Sequence, residues 1–177
     1  MTMTRRLFLL GSLFSTLLLA RPGLAEAKVK VVCTTQDPAS LVREIGGDRV
    51  SVTAFARGFQ DPHFLDAKPS YMLELNKADL LIAIGLDLEI GYLPSLVTGS
   101  RNARIGAGAP GFLDLSTVIK PIEVNSKTDR SQGDIHPGGN PHYWLDAENG
   151  RMMARGIAGR VMGGRGQRWK AAAVRPH

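Results

Sequence analysis

The sequence holds a single cysteine, Cys33, among 177 residues. No internal disulfide can form, so stability has to come from a packed core, and the length allows one. Aromatic residues are scarce, at 6%. Histidines number four: His63, His136, His142 and His177. No H-E-x-x-H pair and no G-x-S-x-G elbow is present, so two common hydrolase signatures are excluded. Excess charge is also missing where it would matter. The net charge is +6, but residues 28–159 carry 14 Lys and Arg against 15 Asp and Glu. The central part is therefore close to neutral and offers no basic face for a nucleic acid.

The longest apolar run, Leu7–Ala20, is too short for a comfortable membrane span. Arg5 and Arg6 precede it and "AEA" at 25–27 comes after it, which reads as an export signal over residues 1–27, cut after Ala27. The paired arginines leave the Sec and twin-arginine routes both open. Export implies a periplasmic protein. Cys33, in "KVKVVC", lacks a lipoprotein box and reads as a buried strand residue.

Beyond the signal the chain alternates in type. "KVKVVCTT" at 28–35 and "RVSVTAFA" at 49–56 have the period of strands. Between them, Asp37 and Pro38 predict a helix start, with Leu41 and Ile45 on its apolar stripe and Gly46-Gly47 as its stop. Residues 57–68 read as a loop. Pro69 and Ser70 open a helix with apolar Met72, Leu73 and Leu75. "ADLLIAIG" at 78–85 is a continuous apolar run, the pattern of a parallel strand buried on both faces. A helix is predicted over 86–97, and a short strand, a glycine-rich loop and another short element over 103–116. Residues 120–141 read as a long exposed loop. Asp146 is placed to cap a helix with Met153, Ile157 and Val161 on one face. Strand, helix, strand, helix, strand predicts an α/β fold with a mostly parallel sheet flanked by helices. The stretch 162–177 is basic and glycine-rich, with no acid and no period. It reads as disordered or as out-of-frame translation starting near residues 159–162.

His63 comes directly after Asp61-Pro62, and His142 directly after Asn140-Pro141. Both lie on proline-stiffened loops beside predicted elements. In a parallel α/β domain such loops line the crevice at the carboxyl end of the sheet. Two neutral imidazoles meeting there would be half of a first-row metal site, with His136 as an accessory ligand. The residues alone leave open the plainer reading of surface histidines. Tyr143 and Trp144 read as core, Asp146 as a cap, and Asp87 and Glu89 as solvated or capping acids. An acid beside the crevice could also orient a histidine.

Three ordered segments carry a resemblance: "DPHFLDAKPS" at 61–70, "ADLLIAIGLDLE" at 78–89 and "GNPHYWLDAEN" at 139–149. With them the chain resembles the solute-binding proteins of zinc and manganese ABC transporters, the family that includes metal-binding adhesins. The resemblance implies two α/β lobes joined by a long helix, with the metal between the lobes. It implies residues 28–146 as the N-terminal lobe, 147–161 as the start of the interlobe helix, and His63 and His142 as metal ligands. It further implies Zn²⁺ or Mn²⁺ as transported ligand, delivery to a membrane permease, and no catalysis. Ala147 departs from the family's usual proline. The second lobe, with its two expected ligands, is absent, so the chain reads as a truncated form. The alternative is a secreted zinc-dependent hydrolase, which would need a general base beside an open metal position.

Overall fold

A computed structural model describes residues 27–124 and 136–162. The export signal read over 1–27 lies outside the described residues except for Ala27, and the basic tail over 162–177 except for Met162. Among the described residues four strands form one sheet: β1 (Val29–Cys33), β2 (Val50–Ala54), β3 (Leu80–Ala83) and β4 (Phe112–Asp114). Their order is β2-β1-β3-β4, and every pair is parallel. Val31 pairs with Val52 on one side and Leu80 on the other, which makes β1 central. The helices are α1 (Gln36–Gly46), α2 (Pro69–Lys77), α3 (Leu93–Ser100) and α4 (Ala147–Val161). The predicted parallel α/β class is the observed one.

Alternation along the strands sorts the core into two layers. Val31, Cys33, Leu80, Ile82 and Ile84 face one side, where α1 and α4 pack together. Val32, Leu81 and Ala83 face the other, with Leu75 of α2 and Leu96 of α3. The strand β3 is buried on both faces throughout, as its unbroken apolar run requires. Cys33 is fully buried, and desolvation pushes its thiol pKa up to about 12. It is a packing residue, in line with its strand context.

Several elements differ from expectation. The helix α1 begins at Gln36 with Thr35 in the N-cap position, so Asp37 lies in the first turn. Pro38 fits there because first-turn N–H groups have no intrahelical partner anyway. The buried stripe of α1 centres on Ala39 and Val42, with Leu41 and Ile45 half-buried beside it. In α2, Leu73 is exposed and Leu75 is the buried anchor. The helix predicted over 86–97 starts only at Leu93, with Pro94 in its first turn. Gly85, Leu86 and Asp87 have φ of 82°, 53° and 64°, a left-handed run that no right-handed helix accommodates. The strand expected after Ala103 is a 3₁₀ turn, Ala103–Ile105, and the strand itself is β4. The loop over 120–141 is mostly exposed up to Val124, but Gly139 and Pro141 are buried. The Asn140 N–H donates to the Ile122 carbonyl at 2.9 Å and pins the two described ends together. Asp146 caps α4, its Oδ1 accepting from the Glu148 N–H at 2.8 Å.

Candidate metal centre

The first two strands run β1-α1-β2 to one side of β1, and β3 returns to the other. The order therefore reverses between β1 and β3, where parallel α/β sheets open a crevice at their carboxyl ends. His63 sits on the loop between β2 and α2, and Leu86–Tyr92 lie between β3 and α3. Both segments leave the carboxyl ends of their strands.

Asp61 shapes the first loop. Its Oδ1 accepts from the His63 backbone N–H at 2.9 Å and contacts His63 Nδ1 at 2.7 Å. These bonds, the backbone one first, hold the Asp61 carboxyl below its ordinary range. A carboxylate has no proton to give, so in the neutral ring Nδ1 carries the hydrogen and Nε2 keeps its lone pair. Asn140 repeats the arrangement. Its Oδ1 accepts from the His142 N–H at 2.9 Å and lies 3.0 Å from His142 Nδ1. In both loops an Asx side chain before a proline orients the histidine two residues on.

The free nitrogen of His63 points at a second ring. His63 Nε2 lies 3.2 Å from His136 Nε2, and the ring centroids are 5.2 Å apart. Two zinc-bound nitrogens about 2.0–2.1 Å from the ion at the tetrahedral angle would lie about 3.3 Å apart. The pair has that spacing. His142 also lies beside His63, with ring centroids 5.4 Å apart, and packs on Trp144 with centroids 5.2 Å apart. The His63 side chain is only 12% exposed, whereas His142 is exposed to solvent. The pKa of His136 is lowered, first by burial and then by the neighbouring His63, against a hydrogen bond to the Leu86 backbone. A histidine kept neutral offers a lone pair to a cation.

All three candidate residues, His63, His142 and His136, are thus brought to one place. The tighter pair is His63 with His136, because His136 comes back over the Leu86 turn. Among the described residues no group of three or more His, Cys, Asp or Glu side chains forms a ready-made cage for an ion. The centre is a close pair with a third ring beside it, open on the His142 side.

Of the site's neighbours, Tyr143 keeps its sequence reading, while Trp144 and Glu89 depart from theirs. Tyr143 is core, and its hydroxyl donates to the Ile84 carbonyl at 2.6 Å. Trp144 is half-buried and serves as the wall behind His142. Glu89 is 3% exposed rather than solvated. The only sequence sign of that burial is the apolar run it adjoins. A pocket of about 610 Å³ lies beside the Gly85–Ile90 segment, lined mainly by Leu86, Leu93, Val97, Ile105 and Phe112.

The family model for the periplasmic component A of the zinc-uptake complex, ZnuA, matches residues 31–163. A manganese ABC transporter substrate-binding lipoprotein, PsaA of Streptococcus mitis, is 28% identical over 134 residues, covering 74% of this chain and 40% of that protein. A metal ABC transporter substrate-binding lipoprotein of Streptococcus parasanguinis, FimA, is 26% identical, covering 76% and 41%. Among solved structures, a Mn-bound periplasmic metal binding protein from Candidatus Liberibacter asiaticus aligns with a TM-score of 0.59 at 20% identity. That alignment covers 82% of this chain and 50% of the other. A ZnuA crystal structure aligns with a TM-score of 0.58 at 24% identity, covering 82% and 52%. These likenesses show a shared fold. The chain spans about two fifths of the length of the curated relatives and about half of the solved chains.

Proposed function

The chain belongs to this zinc-uptake component family, and on that premise we propose that it binds a divalent transition metal, zinc or manganese, for delivery to the membrane permease of an ABC transporter. The observation that carries the reading is the His63–His136 contact, with Nε2 facing Nε2 at 3.2 Å. Asp61 leaves the His63 nitrogen its lone pair. His63 and His142 are the ligands proposed from the loops, and His136 joins them as the accessory ligand. The metal is cargo, and the chain catalyses nothing.

The relatives' names speak for both metals, manganese for PsaA and zinc for the family. Imidazole donors suit either. The same reading places the protein in the periplasm behind an export signal over residues 1–27. It takes residues 28–146 as the metal-binding lobe, 147–161 as the start of a linking helix and 162–177 as a basic tail. Among the described residues no helix is long and apolar enough to cross a membrane. The alternative of a zinc-dependent hydrolase has less support. Such an enzyme needs a free base beside the ion, and the Oδ1 of Asp61 is engaged twice by His63.

Calorimetric titration of the 177-residue chain with Zn²⁺ and Mn²⁺ tests the proposal. Binding of one ion, lost in a His63→Ala/His142→Ala double variant, is expected. Equal binding by parent and double variant would remove the histidines from the site.

A further inference from the structure

Glu89 is a buried acid that takes no direct part in holding the metal. Its Oε1 accepts from the Thr34 hydroxyl at 2.6 Å and from the Ile84 N–H at 2.7 Å. Its Oε2 accepts from the Gly85 N–H at 3.1 Å. Thr34 comes directly after β1, and Ile84 and Gly85 directly after β3. The carboxylate therefore bridges the carboxyl ends of the two central strands, at the point where the strand order reverses. Burial raises its pKa against the pull of these hydrogen bonds. An apolar side chain would fill the space without that desolvation cost, so packing alone does not call for an acid here.

The turn after Gly85 is equally unusual. Leu86 and Asp87 are non-glycine residues with positive φ, 53° and 64°. A left-handed conformation is unfavourable for each of them. Yet this turn and the segment after it adjoin two of the histidines. The Leu86 backbone hydrogen-bonds His136, and Gly91 faces the His63 backbone, where a Cβ would lie at ordinary contact distance, 3.5 Å, from the His63 carbonyl oxygen. The carboxylate grips the chain immediately before the turn, and the segment it leads into touches both members of the close pair. His142 is held instead by Asn140.

We propose that Glu89 is a positioning residue for the metal centre: it clamps the left-handed Gly85–Leu86–Asp87 turn so that His136 Nε2 meets His63 Nε2. The clamp accounts for both the buried acid and the strained turn. It rests on the metal-binding reading for its purpose, but its geometric effect exists without metal.

The test labels histidine rings with ¹⁵N in the full 177-residue chain and compares parent with Glu89→Gln, where both are folded. Glutamine keeps the size and replaces one acceptor oxygen with a donor that faces other donors. In the metal-free variant the ring nitrogen resonances of His136 and His63 should move while those of His142 stay. Zinc affinity should fall by about tenfold or more, the range for groups that orient ligands. Unchanged resonances and affinity would overturn the proposal. So would shifts of equal size in all three rings that merely track a lowered melting temperature. Should Glu89→Gln fail to fold, Thr34→Val carries the same readouts, since it removes one hydroxyl donor and leaves both backbone donors. Parent-like rings and affinity in Thr34→Val would then overturn the proposal. If the parent binds no zinc, the functional reading fails, while the metal-free ring shifts still decide the role of Glu89.

Discussion

His63 and His136 are 73 residues apart in sequence, and their Nε2 atoms lie 3.2 Å apart in the fold. Either a shared proton or a cation can occupy that gap. If a cation does, His136→Ala should weaken zinc binding by about tenfold or more, comparably to His63→Ala, since each removes one donor. Parallel titrations of the two variants check this. A His136→Ala protein that binds like the parent would confine the site to His63 and His142.

Asp61 sets the tautomer of His63 through its 2.7 Å contact with Nδ1. Asp61→Ala should therefore lower metal affinity by about 10–100-fold while leaving every ligand in place. Asp61→Asn, which keeps an acceptor at that position, should recover most of the loss. Parent-like affinity in the alanine variant would show that the ring needs no such partner.

His136 contributes to the acid response of the metal-free protein. Its folded pKa is lowered from 6.5 by burial and by His63. Between that lowered value and about 6.5 the unfolded chain holds a proton that the folded chain lacks. This group's contribution is level above about pH 6.5, and stability falls as pH drops through the window. Metal affinity falls in the same direction, because protons compete for the ligand nitrogens. Glu89 acts with the opposite sign. Its folded pKa is raised from 4.5, so its contribution falls as pH rises through the raised value. Melting temperatures across pH for parent and His136→Ala separate the two effects. The acid-side decline should shrink in His136→Ala and persist in Glu89→Gln.

Tyr143 ties the His142 segment to the sheet through the hydrogen bond from its hydroxyl to the Ile84 carbonyl at 2.6 Å, in the buried core. Tyr143→Phe strands that carbonyl and should cost about 1–3 kcal/mol. Denaturant unfolding measures it, and a loss under about 0.3 kcal/mol would mean another donor takes over.

Two glycines should respond in opposite senses to alanine. At Gly111 a Cβ would sit 2.5 Å from the Arg104 carbonyl oxygen and 2.8 Å from that of Asp79, both backbone atoms. Gly111→Ala should destabilise by about 1–3 kcal/mol. Gly150 lies inside α4 with nothing within 4 Å of a Cβ. Gly150→Ala should stabilise by about 0.5–1 kcal/mol, because glycine loses more backbone freedom on entering a helix. Equal shifts for the two in thermal unfolding would contradict this.

Local patterns suffice where one rule dominates. The apolar run of β3, the proline opening α2 at Pro69 and the Asp146 cap of α4 each arise from a few adjacent residues. The segment 86–97 defeats a local reading because "LDLEIGYLPSLV" has helical composition, while Glu89 bonds backbone N–H groups that precede it and holds a left-handed turn in its place. The burial of Glu89 is equally hidden, since it depends on Thr34, 55 residues away. Leu73 matches an apolar stripe on paper yet faces solvent, because the phase of α2 is set by what covers Leu75.

The sequence by itself determined the parallel α/β class and the membership of the family, through strand-length apolar runs separated by helices and three ordered motifs. It also determined the orientation of two histidines, since Asp61 and Asn140 lie two residues ahead of the rings they hold. Only the tertiary structure decided that His136 is the close partner of His63. That pairing depends on the path of the chain after β3, and a strained turn held by a buried acid is a long-range contact that no local pattern encodes.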